Sequence, residues 1–364
     1  MTVLGSITDV AGVEVGHHQR TGRGWQTGST VIVVPGGATP GVDVRCGGPA
    51  TRETEALAPE NLVERIHAVC LTGGSAFGLA AAHGVMEVLE HRGLGVEIGG
   101  AVPGTVPVVP AAVIFDLGRG GRFSNRPDAA FGRLAAQRAS RSPSRWGAVG
   151  AGTGARAGAL QGGVGTASVT VRIPSGATDG REHASTSPTT VCTVGALAVV
   201  NASGSVADPS TGALWERTSA ALRRPSAAEA QRLRDLSIAP MPLNTTIGVV
   251  ATDAALTKAE ARKLASVAHD GLARAIRPAH SMSDGDTVFA LSTGALDIGG
   301  GPTTLGAPDS RHLARNELLR AAADVFAAAC VHAVLAATSV GEAPAYLDVC
   351  PSALRSGTDR AWWT

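Results

Sequence analysis

Asn244, Thr245 and Thr246 stand together in the run MPLNTTIGVVATD (241–253), at the head of an apolar, β-branched segment. Cutting the Asn244–Thr245 bond would make Thr245 an N-terminal residue. Its hydroxyl and its α-amine would then form a nucleophile and its own base in one residue. An α-amine has a reference pKa of about 7.7–8.0, so a useful fraction accepts protons near neutral pH. Two plainer readings stand beside this one. Threonine suits the start of a strand, and Asn-Thr-Thr fits the glycosylation sequon of a secreted chain. Asp284 and Asp286 put two carboxylates in one turn, too few oxygen ligands for a calcium loop. They are a solvated turn, or groups that orient an N-terminal amine and hydroxyl. Asn201 lies in the turn of VCTVGALAVVNASGSVA (191–207), read as strand, turn, strand. Its side-chain N–H suits a developing oxyanion, and an Asx-turn is the plain alternative. His269 and His280 lie near these groups, but no G-x-S-x-G elbow marks a serine. His269 is read as structural, on the polar side of its helix.

Two glycine segments invite a ligand reading. GGSAFG (73–78) lacks the G-x-G-x-x-G spacing, and no Gly-Lys-Ser/Thr follows, so close helix–strand packing is the better reading. The stretch 147–170 is richer in glycine. It is either a second phosphate loop or a wall whose backbone N–H groups, near Gly162 and Gly163, line a small-molecule cleft. Both readings stay open.

The elements that must hold these groups are legible in part. Strands are expected at 29–34, closed by the turn PGG, at 66–72 and over 107–117. Ser75 is expected to cap a helix carrying Leu79, Val85, Met86 and Leu89. Residues 217–237 read as a polar, basic helix, and 174–190 as a loop. Thr257 and Glu260 form a capping-box pattern ahead of a helix to 276, whose Leu264, Ala268 and Leu272 share one face. A loop over 277–287 leads to the strand VFALSTG, and 312–337 is a long Ala/Leu-rich helix. The final GTDRAWWT reads as a loose tail. Paired strands followed by helices imply α+β layers rather than a doubly wound parallel sheet.

A chain of 364 residues can bury one large core. Net charge is +1, and one Tyr and six Phe leave no stacking surface, so no nucleic-acid partner is expected. The five cysteines show no CxxC and no Cys/His pair at metal-ligand spacing, so they read as small buried hydrophobes in a reducing compartment. The N-terminal run has neither a basic nor an apolar leader region. No run of ~18 apolar residues marks a membrane span. The expectation is a cytoplasmic protein with no membrane partner.

Together these segments resemble the L-aminopeptidase/D-esterase family, which includes β-peptidyl aminopeptidases and nylon-oligomer hydrolases. The matching runs are ITDVAGVEVGHH (7–18), GGSAFGL (73–79), AAVIFDLG (111–118), GAGTGARAG with GGVGTAS (150–168), ALAVVNASG (196–204), NTTIGVVATD (244–253) and HDGLARAIRPAH…DGDTVFALSTG (269–294). They span almost the whole chain, in order. The resemblance implies a four-layer α/β/β/α sandwich, shared with the ornithine acetyltransferases. It implies one domain over 1–364 that cuts itself at Asn244–Thr245 into pieces 1–244 and 245–364. Cleaved protomers would assemble into tetramers, without metal or organic cofactor. Thr245 matches the nucleophile and Asn201 the oxyanion-stabilising asparagine. Asp284 and Asp286 match the acidic pair that holds the nucleophile, with Thr246 alongside. The implied reaction releases a small N-terminal residue from a short peptide, amide or ester through an acyl-enzyme on Thr245. Gly162 and Gly163 would add backbone N–H groups at the oxyanion. Acyl transfer to an amine, and a non-catalytic binding protein of the same fold, are the alternatives. Two departures stand out. Nylon-oligomer hydrolases carry a Tyr where this chain has Phe115, and a catalytically relevant Lys in the glycine-rich stretch. Here that stretch offers Arg156, always charged, and Gln161, uncharged.

Overall fold

The computed structural model describes residues 5–142, 145–174, 189–236, 243–299, 310–355 and 358. The first strands are β1 (Glu14–Gly22), β2 (Trp25–Val44), β3 (Thr51–Arg52), β4 (Ile66–Thr72), β5 (Val96–Ile98), β6 (Gly104–Val106) and β7 (Ala111–Val113). The later ones are β8 (Arg156–Ala157), β9 (Leu160–Gln161), β10 (Gly163–Pro174), β11 (Thr189–Val200), β12 (Ile247–Ala254) and β13 (Thr287–Leu296). The helices are α1 (Ala81–His91), α2 (Ala129–Gln137), α3 (Ala227–Asp235), α4 (Lys258–Ala275), α5 (Ser310–Leu335) and α6 (Tyr346–Val349).

Strand β2 joins two sheets. Its first half pairs antiparallel with β1 and β4, and Thr39–Val44 pairs antiparallel with β13. The strand order is β10-β11-β12-β13-β2-β4-β7-β3, with β1 beside β2. Alternation along each strand sorts side chains into layers. Ile32, Leu71, Leu197, Val199, Ile247, Val249, Phe289 and Leu291 fill the space between the sheets. Val31, Val33, Ala68 and Cys70 turn outward under α1 and α2. Val194, Ala196, Val250 and Ala290 turn outward under α4 and α5. The result is the four-layer α/β/β/α sandwich, α+β in class. Each fully buried Ile, Val, Leu or Phe contributes roughly 1.5–3 kcal/mol of transfer free energy, and the layer under α4 and α5 buries more such residues than the layer between the sheets.

The capping box Thr257–Glu260 opens α4, and the expected apolar face is buried. Several boundaries differ from the sequence reading. PGG (35–37) makes no hairpin turn; β2 runs through it with a register shift between Val33 and Ala38, because ladders on both sides hold the strand. Ser75 makes no cap bond; it adopts φ 51°, and a 3-10 turn, Ser75–Ala80, precedes α1. Of 107–117, only Ala111–Val113 is strand. After the turn at Asn201 no second strand forms, only isolated bridges at Ser205 and Ala207. The polar helix starts late: Pro225 disfavours helix before it, and the box Ser226–Glu229 starts α3. Most of the 174–190 stretch and of the GTDRAWWT tail lies outside the described residues. Helix α5 is long and apolar enough to cross a membrane, but 83% of its most apolar window is buried inside the protein.

Candidate active site

Strand register brings the candidate residues together at one end of the second sheet. Val199 of β11 pairs with Ile247 of β12, so Asn201 falls opposite Thr245, and the Thr245 N–H donates to Asn201 O at 2.6 Å. β12 and β13 run parallel with Ile247 beside Thr287, so Thr246 meets Asp286. The Thr246 N–H donates to Asp286 Oδ1 at 2.7 Å. Thr287 also pairs with Val44, so the end of β2 brings Arg45 and Cys46 to the same place.

Thr245 is 6% exposed and Asn244 3%. The Thr245 hydroxyl donates to the carbonyl oxygen of Asn244, the carbonyl of the bond in question. Asn244 is pinned on both sides of its amide. Its Nδ2 donates to Ser203 Oγ at 2.9 Å, and its Oδ1 accepts from Arg119 Nη2 at 2.8 Å. Arg119 also donates to Leu243 O at 2.8 Å and, through Nη1, to Asn201 Oδ1 at 2.6 Å. It lies 5.5 Å above the Phe115 ring. Burial pulls the Arg119 pKa down to about 10, against the pull of nearby Asp116, so it stays cationic at neutral pH.

Asn201 is fully buried, and its Oδ1 takes a second bond from the Arg156 N–H at 3.0 Å. Its Nδ2 makes only a 3.4 Å bond, to Phe115 O. That weakly held donor is the group free to turn toward an oxyanion, and the guanidinium on Oδ1 polarises the amide behind it. Asp284 accepts from the Ser281 N–H and Oγ at 3.1 and 2.5 Å and from the Ser203 N–H at 3.5 Å. Asp286 accepts from the His280 N–H at 3.2 Å and faces its Nδ1 at 2.8 Å. Both carboxylates therefore brace the loops around Thr245; the carboxylate contact nearest to it is Asp286 on the next residue. Thr246 Oγ1 is buried without a partner.

The glycine-rich stretch contributes differently from expectation. The Gly162 N–H donates to Ala155 O at 2.9 Å, so it is not free for an oxyanion. A Cβ at Gly162 would stand 2.0 Å from Val200 O, and one at Gly163 would stand 2.7 Å from Ala333 O. These glycines allow backbone to pack on backbone. Gln161 Nε2 bonds to the carbonyls of Gly152 and Gly162 at 3.3 and 3.1 Å and so stiffens the same turn. GGSAFG is likewise a packing turn: Gly74 N–H donates to Asp116 Oδ1 at 2.7 Å, and burial pushes that carboxyl up to about 6.

The sequence reading missed Arg119, an arginine in a glycine-rich run whose partners lie up to 125 positions away. It also placed His269 on a polar face, whereas that residue is fully buried, with Nε2 donating to Asp43 O at 3.1 Å. Cys46, taken as a buried hydrophobe, is half-buried, and burial with Asp286 close by pushes its thiol up to about 12. One surface cavity opens beside α1 and α2 at Glu87 and Arg133, and another between α4 and α5 at Leu264 and Leu319.

Comparison with known proteins makes this chain a peptide-bond hydrolase of the aminopeptidase class. The chain belongs to peptidase family S58, whose model matches residues 5–345. It is 47% identical over 370 residues to an uncharacterized aminopeptidase of Mycobacterium tuberculosis, covering 97% of this chain and all of that one. A 6-aminohexanoate-oligomer endohydrolase of Paenarthrobacter ureafaciens is 31% identical over 323 residues, 83% of this chain and 78% of the relative. Among solved structures, a Burkholderia β-aminopeptidase superposes with a TM-score of 0.63 at 26% identity over 96% of this chain and 94% of that one. The L-aminopeptidase D-Ala-esterase/amidase of Ochrobactrum anthropi, described as a variant of the Ntn-hydrolase fold, superposes with a TM-score of 0.65 at 22% identity. That match covers 98% of this chain and 92% of the other, and it speaks for the fold.

Proposed function

We propose that this aminopeptidase is made active by its own cleavage at Asn244–Thr245 and then uses Thr245 as an N-terminal nucleophile. The observation that carries the reading is the Thr245 hydroxyl lying on the carbonyl oxygen of Asn244, with both flanking residues buried and pinned. Thr245 Oγ attacks the Asn244 carbonyl carbon, the C–N bond breaks, and the acyl group moves to oxygen as an ester. Water hydrolyses the ester, leaving a carboxylate on Asn244 and a free amine on Thr245. That amine then takes the hydroxyl proton as Thr245 attacks a substrate carbonyl, and gives it to the departing amine; water, deprotonated by the same amine, then hydrolyses the acyl ester and returns the proton to the Thr245 oxygen. Asn201 Nδ2 faces the oxyanion, backed by Arg119. Asp286 holds the Thr246 end of the nucleophile strand, and Asp284 holds the loop beside it.

The substrate class is a short peptide, amide or ester whose acyl part is a small residue with a free amine. The oligoamides named for the 31%-identical relative belong in the same substrate panel, although Phe115 offers no hydroxyl to the substrate amide. Further assembly of the cut protomers belongs to this reading and is read out by light scattering. Thr245→Ala tests the core of it: the variant should stay one chain and hydrolyse nothing, and a cut Thr245→Ala chain would overturn it.

A further inference from the structure

Cys46, just past the end of β2, meets His280 and Asp286 from the loop before β13, beside the nucleophile strand. Cys46 Sγ lies 3.5 Å from His280 Nδ1, which lies 2.8 Å from Asp286 Oδ2. One ligand atom from each of the three falls within 4.8 Å of the others. We propose that these residues form a site for one thiophilic divalent cation, Zn2+ being the best match, and that its occupancy suppresses the hydrolase. The second half rests on the proposed function; the first does not.

Three observations favour a cation there. The donor set is one thiol, one imidazole and one carboxylate, which suits zinc, while Ca2+ and Mg2+ require shells of oxygen. Zn–ligand bonds of about 2.0–2.3 Å put tetrahedral ligand atoms roughly 3.3–3.7 Å apart. The sulfur–nitrogen distance already fits, and the nitrogen–oxygen pair opens slightly as the proton between them leaves. The second observation is the histidine pair. His280 Nδ1 meets Asp286 Oδ2, and its Nε2 is buried with no partner among the described residues. The His269 ring packs edge-on against it with centroids 4.9 Å apart. His269 is fully buried and spends its Nε2–H on Asp43 O, so its Nδ1 is a second partnerless lone pair. A cation on His280 Nδ1 moves the ring proton to Nε2 and sets a donor against that acceptor-bearing ring, the second-shell pattern of metal-bound histidine. The third observation is charge. Asp284 and Asp286 are 2% and 3% exposed, and no arginine or lysine is ion-paired to either among the described residues. A dication balances them. Binding converts the Cys46 thiol to thiolate and releases one proton, and water completes the fourth position.

Asp286 is also the carboxylate that anchors the Thr246 N–H, so a cation on Oδ2 ties up the group beside the new α-amine of Thr245. Cys46 has no step of its own in the proposed reaction; its contacts are with His280 and Asp286. It sits at φ 81°, where glycine is at ease, so Cys46→Gly removes the ligand and relieves the backbone. The experiment loads the full-length protein and Cys46→Gly with Zn2+ or Co2+, removes free metal by gel filtration, and measures metal content and visible spectrum. The wild-type protein should retain about one metal per chain and show a thiolate-to-cobalt charge-transfer band, and Cys46→Gly should show neither. Zn2+ should slow wild-type peptide hydrolysis about tenfold or more, reversibly with chelator, while metal-free Cys46→Gly works at the wild-type rate and ignores zinc. Equal metal in the two proteins, or none in the wild type, overturns the site. Metal bound with hydrolysis undiminished overturns the suppression. If neither protein hydrolyses any substrate, the proposed function fails while the binding result stands.

Discussion

Arg119 is a buried cation whose hydrogen-bond acceptors are all neutral: Asn201 Oδ1, Leu243 O and Asn244 Oδ1. Two of these three belong to the segment just before the bond proposed to be cut, so the guanidinium fixes the end of that segment and the Asn201 side chain together. A hydrogen bond to a charged group is worth about 1.5–3 kcal/mol, so losing even one should slow a step that needs it by roughly ten- to a hundredfold. Arg119→Met should therefore slow chain cutting at least that much, measured as the fraction of intact chain against time. Cutting at the wild-type rate would contradict the role. At this scale the sequence showed what local runs can show. Thr245, Asn201 and Asp286, which the strand register brings together, could be picked out because each heads or ends an apolar strand pattern. Arg119 and the Cys46–His280 contact were not, because partners 82 to 234 positions distant give no local pattern. Gly162 was misread because a glycine that admits a ligand and one that admits another strand look alike in sequence.

Glycine pairs set how closely the elements pack. A Cβ on Gly84 of α1 would stand 1.8 Å from Ala129 O, and one on Gly132 of α2 would stand 1.8 Å from Ala81 O. The two helices therefore touch backbone to backbone. Gly84→Ala should cost roughly 1–3 kcal/mol, read as a lower denaturation midpoint, because one helix must move away from the other. Gly104→Ala, with nothing within 4 Å of its new Cβ, should stay within about 0.5 kcal/mol. Equal effects at both positions would contradict the packing account. Helices with a capping box and a 3.6-residue stripe, such as α4, were legible from sequence. β2 was not, because its long double pairing overrode the turn preference of Pro-Gly-Gly. Ser75 was misjudged because Gly74 and Ser75 both adopt left-handed backbone, φ 87° and 51°, in place of the extended backbone of an N-cap.

The whole molecule responds to acid through groups that the fold holds in one protonation state. His17 Nδ1 meets Thr30 Oγ1 at 3.0 Å, and its Nε2 is buried without a partner. Burial takes its pKa from 6.5 down to about 4. Between those values the unfolded chain binds the proton and the fold does not. His17 therefore supports the fold fully above pH 6.5 and loses that support as pH falls toward 4. Asp116, raised from 3.8 to about 6, acts in the opposite sense over pH 6 to 3.8, since its burial penalty is relieved by protonation. Comparing wild type with His17→Asn cancels the Asp116 contribution. The wild-type melting temperature should fall relative to His17→Asn as pH drops from 6.5 to 4, and parallel profiles would contradict the account. The covalent state is also a property of the whole chain. β12 and β13 lie beyond the proposed cut yet sit between β11 and β2 in one sheet, so the two pieces would remain interleaved after cleavage. An intact mass spectrum of the denatured, purified protein therefore tests the central claim most directly. Dividing 36.5 kDa in the proportion 244 to 120 residues gives about 24 and 12 kDa, and the smaller piece should begin at Thr245. A single 36.5 kDa species that persists through days of incubation would contradict it.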